Sequence, residues 1–97
     1  MNANIKAALN SCDNLKCKEN AGGRIRITKV GIPSGSLWLE VQKECYRLKL
    51  TGEIKSILMN YVNNSTELRH TEDQGDPVWH LPFTGLMEDI VQQLNKI

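Results

Sequence analysis

The sequence carries a set of basic and amide side chains that suit contacts with phosphate groups. Arginine and lysine pair with phosphate oxygens, and asparagine can donate to a phosphate or to the edge of a base. These candidates are Arg24, Arg26, Arg47, Lys49, Lys55, Asn60 and Asn63. Their chemistry predicts binding of a nucleic acid, DNA or RNA; the alternative is that they are simply solvated surface residues.

Metal binding and catalysis have weaker support in the sequence. Cys12, Cys17, His70 and His80 offer zinc ligands, but the histidines are ten residues apart, whereas zinc sites use a spacing of about three to five. No glycine-rich phosphate loop, nucleophile elbow or metalloprotease helix motif occurs. We therefore predict no metal, no cofactor and no enzymatic activity.

Length and composition predict one intracellular domain. The 97 residues, 40% hydrophobic and 24% charged, suit a single hydrophobic core over residues 1–97. No apolar run approaches the roughly 20 residues of a membrane span, and the N-terminus lacks the pattern of a signal peptide. Three cysteines, an odd number, fit free thiols in a reducing compartment. The expected location is the cytoplasm or nucleus, without membrane contact.

Charge is distributed unevenly although the net charge is only +1. Residues 1–32 hold six basic and two acidic side chains, a net charge of +4, whereas residues 66–97 hold two basic and six acidic ones, a net charge of −4. A basic N-terminal third and an acidic C-terminal third would orient a polyanion on the surface. An accidental asymmetry of a solvated surface is the other interpretation.

The first third of the chain predicts a helix and a strand. Apolar residues at helical spacing predict a helix from about Asn4 to Leu15, which makes Cys12 a small core residue. After a glycine breaker, basic and apolar residues alternate from Arg24 to Val30. This alternation indicates a half-buried strand with Arg24 and Arg26 facing water.

The segment Leu37–Leu50 allows two interpretations. Trp38, Val41, Cys45 and Leu48 fit a helical seam of three turns, and we predict a helix with Trp38 in the core. Leu37, Leu39 and Val41 also alternate as in a strand, which would pair with the segment from Ile25 to Ile32 across a turn. The strand interpretation would give a different α+β domain.

The second half of the chain predicts a helix, a hairpin and a last helix. Thr51 can cap a helix whose buried stripe runs from Ile54 to Val62 and which ends at the Asn63-Asn64-Ser65 cluster. Strand-like runs at Thr66–Thr71 and Val78–Phe83 flank a polar turn, Glu72–Pro77. The last helix begins near Thr84, and its predicted buried stripe is Met87, Ile90, Val91, Leu94 and Ile97.

In order, these elements are helix, strand, helix, turn, helix, hairpin and helix, an α+β winged helix with an extra C-terminal helix. The runs Thr51–Leu58 and Asp76–Leu81 resemble winged helices of the Zα type, in which the third helix and a wing grip the backbone of left-handed duplexes. The resemblance implies contacts from Lys55 in the helix and from Pro77 and Trp79 in the wing. Met59 and Asp76 stand where that family has a tyrosine and a second proline.

Two functions follow from this arrangement. The first is a nucleic-acid-binding winged-helix module that uses the third helix and the basic N-terminal third, with a DNA or RNA duplex as partner. The second is a protein–protein interaction module, without catalysis, that docks a basic partner on the acidic wing of Glu72, Asp73 and Asp76. Trp79 serves as a wing contact in the first and packs in the core in the simpler alternative.

Overall fold

A computed structural model of the chain describes residues 3–66 and 70–97. The helices of the described residues are α1 (Ala3–Asn10), α2 (Gly52–Thr66) and α3 (Leu86–Lys96). The strands are β1 (Leu15–Asn20), β2 (Arg24–Lys29), β3 (Leu37–Val41), β4 (Tyr46–Leu50), β5 (Thr71–Asp73) and β6 (Asp76–Leu81). Within these ranges, no helix is both long and apolar enough to cross a membrane.

The strands form one antiparallel sheet in the order β1-β2-β3-β4-β6-β5. Alternate strand residues point to opposite faces of a sheet, and the apolar set points to the helices. The core therefore lies between the sheet and the three helices. Its largest fully buried side chains include Ile5, Ile27, Leu39, Tyr46, Leu48, Ile54, Leu58, Trp79, Leu81 and Met87.

The predicted α+β class is confirmed, but the helix predicted over Leu37–Leu50 is wrong. That segment forms β3 and β4, joined by a turn in which the Gln42 N–H donates to the Cys45 carbonyl at 2.9 Å. Ile27 pairs with Leu37 and Ile25 pairs with Leu39, as in the strand alternative. The winged-helix arrangement is not confirmed, because the element directly before α2 in the described chain is the strand β4 and not a helix.

The segment Leu37–Leu50 forms strands and not a helix because its buried residues recur with a period of two. Tyr46, Leu48 and Leu50 are buried in β4, while Arg47 and Lys49 between them are half-exposed. In a helix, a period of 3.6 would carry one of these charged residues onto the buried face. Pairing on both sides then satisfies the backbone donors and acceptors of this central strand.

At the N-terminus, the predicted helix is too long. The helix α1 ends at Asn10, and the strand β1 follows at Leu15 where no strand was predicted. The polar run of β1 lacks an apolar alternation because it is an edge strand with mostly exposed side chains. Its conformation is set by pairing with β2, a strand that the sequence did predict with Arg24 and Arg26 exposed.

The start of α2 is fixed by a close approach of two chain segments. The Ser36 N–H donates to the Thr51 hydroxyl at 2.9 Å, and the Thr51 N–H donates to the Ser36 carbonyl at 3.0 Å. The sequence predicts that Thr51 caps α2. In the structure its hydroxyl instead accepts from Ser36, in the segment before β3. Gly35 and Gly52 cross at this point with positive φ, 92° and 58°.

The predicted hairpin and last helix are present with shifted limits. The strands β5 and β6 are joined by a two-residue turn at Gln74–Gly75, so β6 begins at Asp76, inside the predicted turn. The expected first strand falls partly on residues 67–69, outside the described residues. In α3, Met87, Ile90, Val91 and Leu94 are buried as predicted, whereas Ile97 is 47% exposed at the C-terminal end.

Candidate nucleic-acid interface

The face of the sheet turned away from the helices is basic. We call it the open face. In β2, β3 and β4 its residues alternate with the buried ones, and the register of the sheet aligns them in rows. The basic members are Lys16, Lys18, Arg24, Arg26, Arg47 and Lys49. Among the described strand residues of this face, six cations stand against three carboxylates, those of Glu40, Asp73 and Asp76.

Trp38 lies in the middle of the open face. It pairs with Arg26 of β2 on one side and Lys49 of β4 on the other, and Arg26 pairs in turn with Lys18 of β1. The Arg26 guanidinium carbon lies over the indole ring, 5.7 Å from its centroid, a cation–π arrangement. A row of three cations thus crosses four strands with one indole inside it.

Arg26 is held in place by a second contact. Its Nε–H donates to the Ser36 hydroxyl at 2.8 Å, and Ser36 is itself buried where the chain enters β3. The planar guanidinium has five N–H donors, so donors remain for a ligand. The position of Arg26 beside Trp38 therefore comes from the scaffold and not from a ligand.

A cavity of about 200 Å³ opens on this face beside the indole. Its lining is Arg24, Trp38, Arg47, Lys49 and Asp73. Pockets for drug-sized ligands begin at about 300 Å³, so this one suits a smaller group such as one planar ring system. Three of its five lining residues are cationic, which favours an anionic ligand.

Asp73 reaches this cavity from the β5–β6 turn. Its Oδ2 atom accepts from Arg47 Nη2 at 3.1 Å and from Lys49 Nζ at 3.4 Å. The hydrogen bonds from Arg47 and then Lys49 hold the pKa of Asp73 below its ordinary value. Two cationic donors therefore converge on a single anionic oxygen, the geometry that a phosphate oxygen would also use.

Arg24 is the most accessible cation of the cavity. Its side chain is 61% exposed, and its Nε lies 3.4 Å from Glu40 Oε2. Because an exposed ion pair contributes little stability and exchanges readily with water, Glu40 does not fix Arg24 in one position. The guanidinium can turn toward a ligand without a large cost in stability.

Of the nine residues predicted to bind nucleic acid, the open face brings together four: Arg24, Arg26, Arg47 and Lys49. The other five, Lys55, Asn60, Asn63, Pro77 and Trp79, belong to the helix layer or to the side of β6 turned toward it. Four of the basic candidates therefore share the open face, whereas Lys55 and the four candidates without charge lie in the helix layer or on the side of β6 turned toward it.

Four of the five remaining candidates are buried or bonded within the fold. Trp79 is fully buried, and its indole N–H donates to Asn63 Oδ1 at 2.9 Å. Pro77 is buried beside it in β6. Lys55 Nζ lies 3.3 Å from Asp76 Oδ1, and Asn60 is exposed on α2. The bonded and buried positions stabilise the helix layer, and the buried ones offer no surface to a ligand.

The histidines and cysteines of the described residues do not form a cluster of metal ligands. His70 packs against Trp79, with ring centroids 5.3 Å apart, while His80 is exposed on the open face opposite Arg47. Cys12 is buried, as predicted, and its Sγ donates to the Ala8 carbonyl at 3.1 Å. In the part of the chain that the structure describes, no group of three or more His, Cys, Asp or Glu side chains could hold a metal ion.

Three residues of the open face were missed from the sequence. Lys16 and Lys18 lie in β1, just past the end of the predicted helix, where no strand is predicted, and the sequence places Trp38 in the core. A usable signal existed for Trp38, because leucines lie on both sides of it in the sequence. In a strand the residue between two core leucines must point away from the core, and Leu37 and Leu39 are both fully buried. Lys16 and Lys18 carried no such signal, because their strand has no apolar period.

The fold and this face define a class: a two-layer α+β chain with helices on one side of an antiparallel sheet and an exposed basic and aromatic surface on the other. Comparisons of the chain with models of protein families, with curated proteins and with solved structures found no match. The assignment of function therefore depends on the geometry of this face.

Proposed function

We propose that this chain binds nucleic acid, DNA or RNA, through the open face of its sheet. The observation that carries the proposal is the row Lys18, Arg26, Trp38 and Lys49, in which the strand register aligns three cations with an indole. Cations supply phosphate contacts, and an aromatic ring supplies a surface on which a base can stack. The two chemistries needed for nucleic acid are adjacent on one surface.

The expected affinity comes mainly from phosphate contacts. If four to six of the open-face cations each neutralise a phosphate, the logarithm of the binding constant should fall with the logarithm of salt with a slope of about −3 to −5. Between roughly 50 and 200 mM salt this corresponds to a loss of about 60- to 1,000-fold in affinity. Such a slope is steep enough to separate nucleic-acid binding from a neutral protein contact.

The contact surface proposed here differs from a winged-helix one. A recognition helix would have to be α2, but α2 packs against β4, β6 and α3. Its buried stripe includes Ile54, Leu58 and Val62, all fully enclosed. Lys55, its basic residue near the N-terminus, already pairs with Asp76. The open face presents six cations, whereas the sequence of α2 contains one.

Docking of a basic protein on the acidic turn is the alternative, and the ion pairs disfavour it. Two of the three carboxylates in question are already engaged: Asp73 with Arg47 and Lys49, and Asp76 with Lys55. A basic partner would have to displace these internal cations. Glu72, which is exposed, would be the remaining attraction, and one exposed ion pair contributes little.

A salt titration tests the proposal. Binding of fluorescein-labelled DNA and RNA, each as a strand and as a duplex, is followed by anisotropy from about 50 to 200 mM salt. We expect Lys18→Gln, which removes one phosphate contact, to reduce the slope by about 1 for the bound probe. Lys6→Gln is the matched control, because Lys6 is exposed on α1 in the helix layer.

The outcomes separate the two functions. A steep slope that Lys18→Gln reduces and Lys6→Gln leaves unchanged supports nucleic-acid binding by the open face. Absence of binding to every probe at about 50 mM salt, where electrostatic affinity is high, overturns the proposal and leaves the protein-interaction alternative. Equal effects of the two substitutions would show that the bound surface is not the open face.

A further inference from the structure

We propose that the ligand of the open face is single-stranded and that one unpaired base stacks on Trp38 in the cavity beside it. This inference depends on the nucleic-acid function proposed above and specifies its ligand. It rests on the width of the sheet, the position of Trp38 within it and the composition of the cavity lining.

The width of the face excludes insertion into the major groove of B-form DNA. Neighbouring strands lie about 4.8 Å apart, so the row from Lys18 in β1 to Lys49 in β4 spans three such spacings, roughly 14 Å. The major groove of B-form DNA is about 12 Å wide and admits a helix or a two-stranded ribbon. A six-stranded sheet can therefore lie against a duplex backbone but cannot bring Trp38 to the bases inside.

A single strand removes this obstacle. Its bases are not confined by pairing and can turn toward the protein while the phosphates follow the cations, as in recognition of single strands by sheet surfaces with aromatic residues. Trp38 is half-buried, so part of its ring system is accessible without a rearrangement of the core. The side chain faces away from the helix layer because Leu37 and Leu39 are both buried there.

The cavity supplies groups for the base and for its phosphate. Trp38 forms an aromatic wall, and Arg24, Arg47 and Lys49 surround it with donors. Arg47 and Lys49 already converge on one carboxylate oxygen of Asp73, so a phosphate oxygen at that point would meet the same two donors. With its volume of about 200 Å³, the cavity suits one base and not a stacked pair.

Stacking and phosphate contacts predict different behaviour on substitution. Loss of one aromatic stacking platform should reduce affinity for a single strand by about 5- to 150-fold, the range measured per stacked base. The salt slope should stay unchanged, since Trp38 neutralises no phosphate. A merely structural role for Trp38 would weaken strand and duplex binding alike.

The experiment compares the proteins on matched probes. Wild type, Trp38→Leu and Trp38→Phe are titrated with a labelled DNA strand of about 12 nucleotides, within the usual site size, and with the same strand annealed to its complement. A third probe replaces the bases of the strand by abasic sites. We expect wild type to prefer the strand over the duplex at least tenfold, Trp38→Leu to lose this preference and Trp38→Phe to retain most of it.

Intrinsic fluorescence provides a readout at the stacked residue itself. The chain has two tryptophans, and Trp79 is enclosed in the core. Quenching by an unlabelled strand should therefore be large in wild type and absent in Trp38→Phe. The abasic probe should quench little and bind about as weakly as the normal strand binds to Trp38→Leu.

The outcomes distinguish failure of the stacking proposal from failure of the proposed nucleic-acid function. If wild type binds duplex as tightly as strand, or binds the abasic strand as tightly as the normal one, base stacking on Trp38 is wrong, while salt-dependent binding would still support the proposed function. If no probe binds at low salt, both proposals fail. The comparison of the normal and abasic strands on the wild-type protein tests base stacking even if Trp38→Leu does not fold.

Discussion

Replacement of Gly35 by alanine should strongly destabilise the fold, because two backbone segments meet at that residue. A Cβ atom at Gly35 would lie 2.2 Å from the Thr51 carbonyl oxygen and 2.9 Å from the Glu53 nitrogen. Both neighbours are backbone atoms at the start of α2, so neither can rotate away as a side chain would. The substitution must either move β3 away from α2 or distort the chain between β4 and α2.

The magnitude follows from comparison with Gly31. Gly31 has nearly the same positive φ, 89° against 92°, but a Cβ atom there would meet nothing within 4 Å. Gly31→Ala should therefore cost only the left-handed conformation, about 1–2 kcal/mol. Gly35→Ala carries that cost and the overlap as well, and a bond-angle distortion of about 15° alone costs about 4 kcal/mol. We expect a total loss of at least about 4 kcal/mol.

Urea and thermal unfolding, both followed by tryptophan emission, measure the two variants. A small domain has a free energy of unfolding of about 5–15 kcal/mol, so Gly35→Ala should lose a large part of it, and Gly31→Ala should lower the thermal midpoint by about 4–16 °C. The m-value should stay constant if only the native state is affected. Losses in the two variants that agree within about 0.5 kcal/mol would refute the close-approach argument.

Two further substitutions test the core and the open face. Trp79→Phe removes the donor to Asn63 Oδ1 at 2.9 Å and should cost about 1–3 kcal/mol in urea unfolding; a cost below about 0.5 kcal/mol would show that water replaces the bond. Asp73→Asn should raise nucleic-acid affinity severalfold at neutral pH in the anisotropy assay, because it releases Arg47 and Lys49; weaker binding would show that Asp73 contacts the ligand favourably. Since the folded-state pKa of Asp73 is lowered, its stabilisation is present above the ordinary carboxyl pKa of about 4 and is lost as pH falls through the lowered value. The thermal midpoint of Asp73→Asn should therefore fall less on acidification, and parallel pH profiles would contradict this.

Elements with one clear period were predictable from the sequence. In α3, apolar residues recur only at helical spacing, and four of the five predicted buried residues are enclosed. The strand β2 alternates so regularly that the exposure of Arg24 and Arg26 followed directly. Ile97 is exposed because it lies at the C-cap, one residue past α3, where a position on the helical stripe no longer ensures burial.

The secondary structure of Leu37–Leu50 could not be predicted from the local sequence, because its residues satisfy both the helical period and the strand period. Trp38, Val41, Cys45 and Leu48 match a helix, and Leu37, Leu39 and Val41 match a strand. The decision is made by partners distant in sequence: β2 on one side of β3 and β6 on the far side of β4. Tertiary pairing of this kind overrides local propensity.

The same pairing explains why the candidate site was predicted only in part. Arg26 and Lys49 lie 23 positions apart in the sequence and are aligned only because each pairs with Trp38. Charge alone identified both, but no local window shows that an indole lies between them. Trp38 was placed in the core because tryptophan is usually buried, and this argument holds only if the segment is a helix. Once the segment is a strand, buried leucines on both sides place the indole on the basic face, so the wrong helix prediction and the wrong placement of Trp38 in the core have one cause.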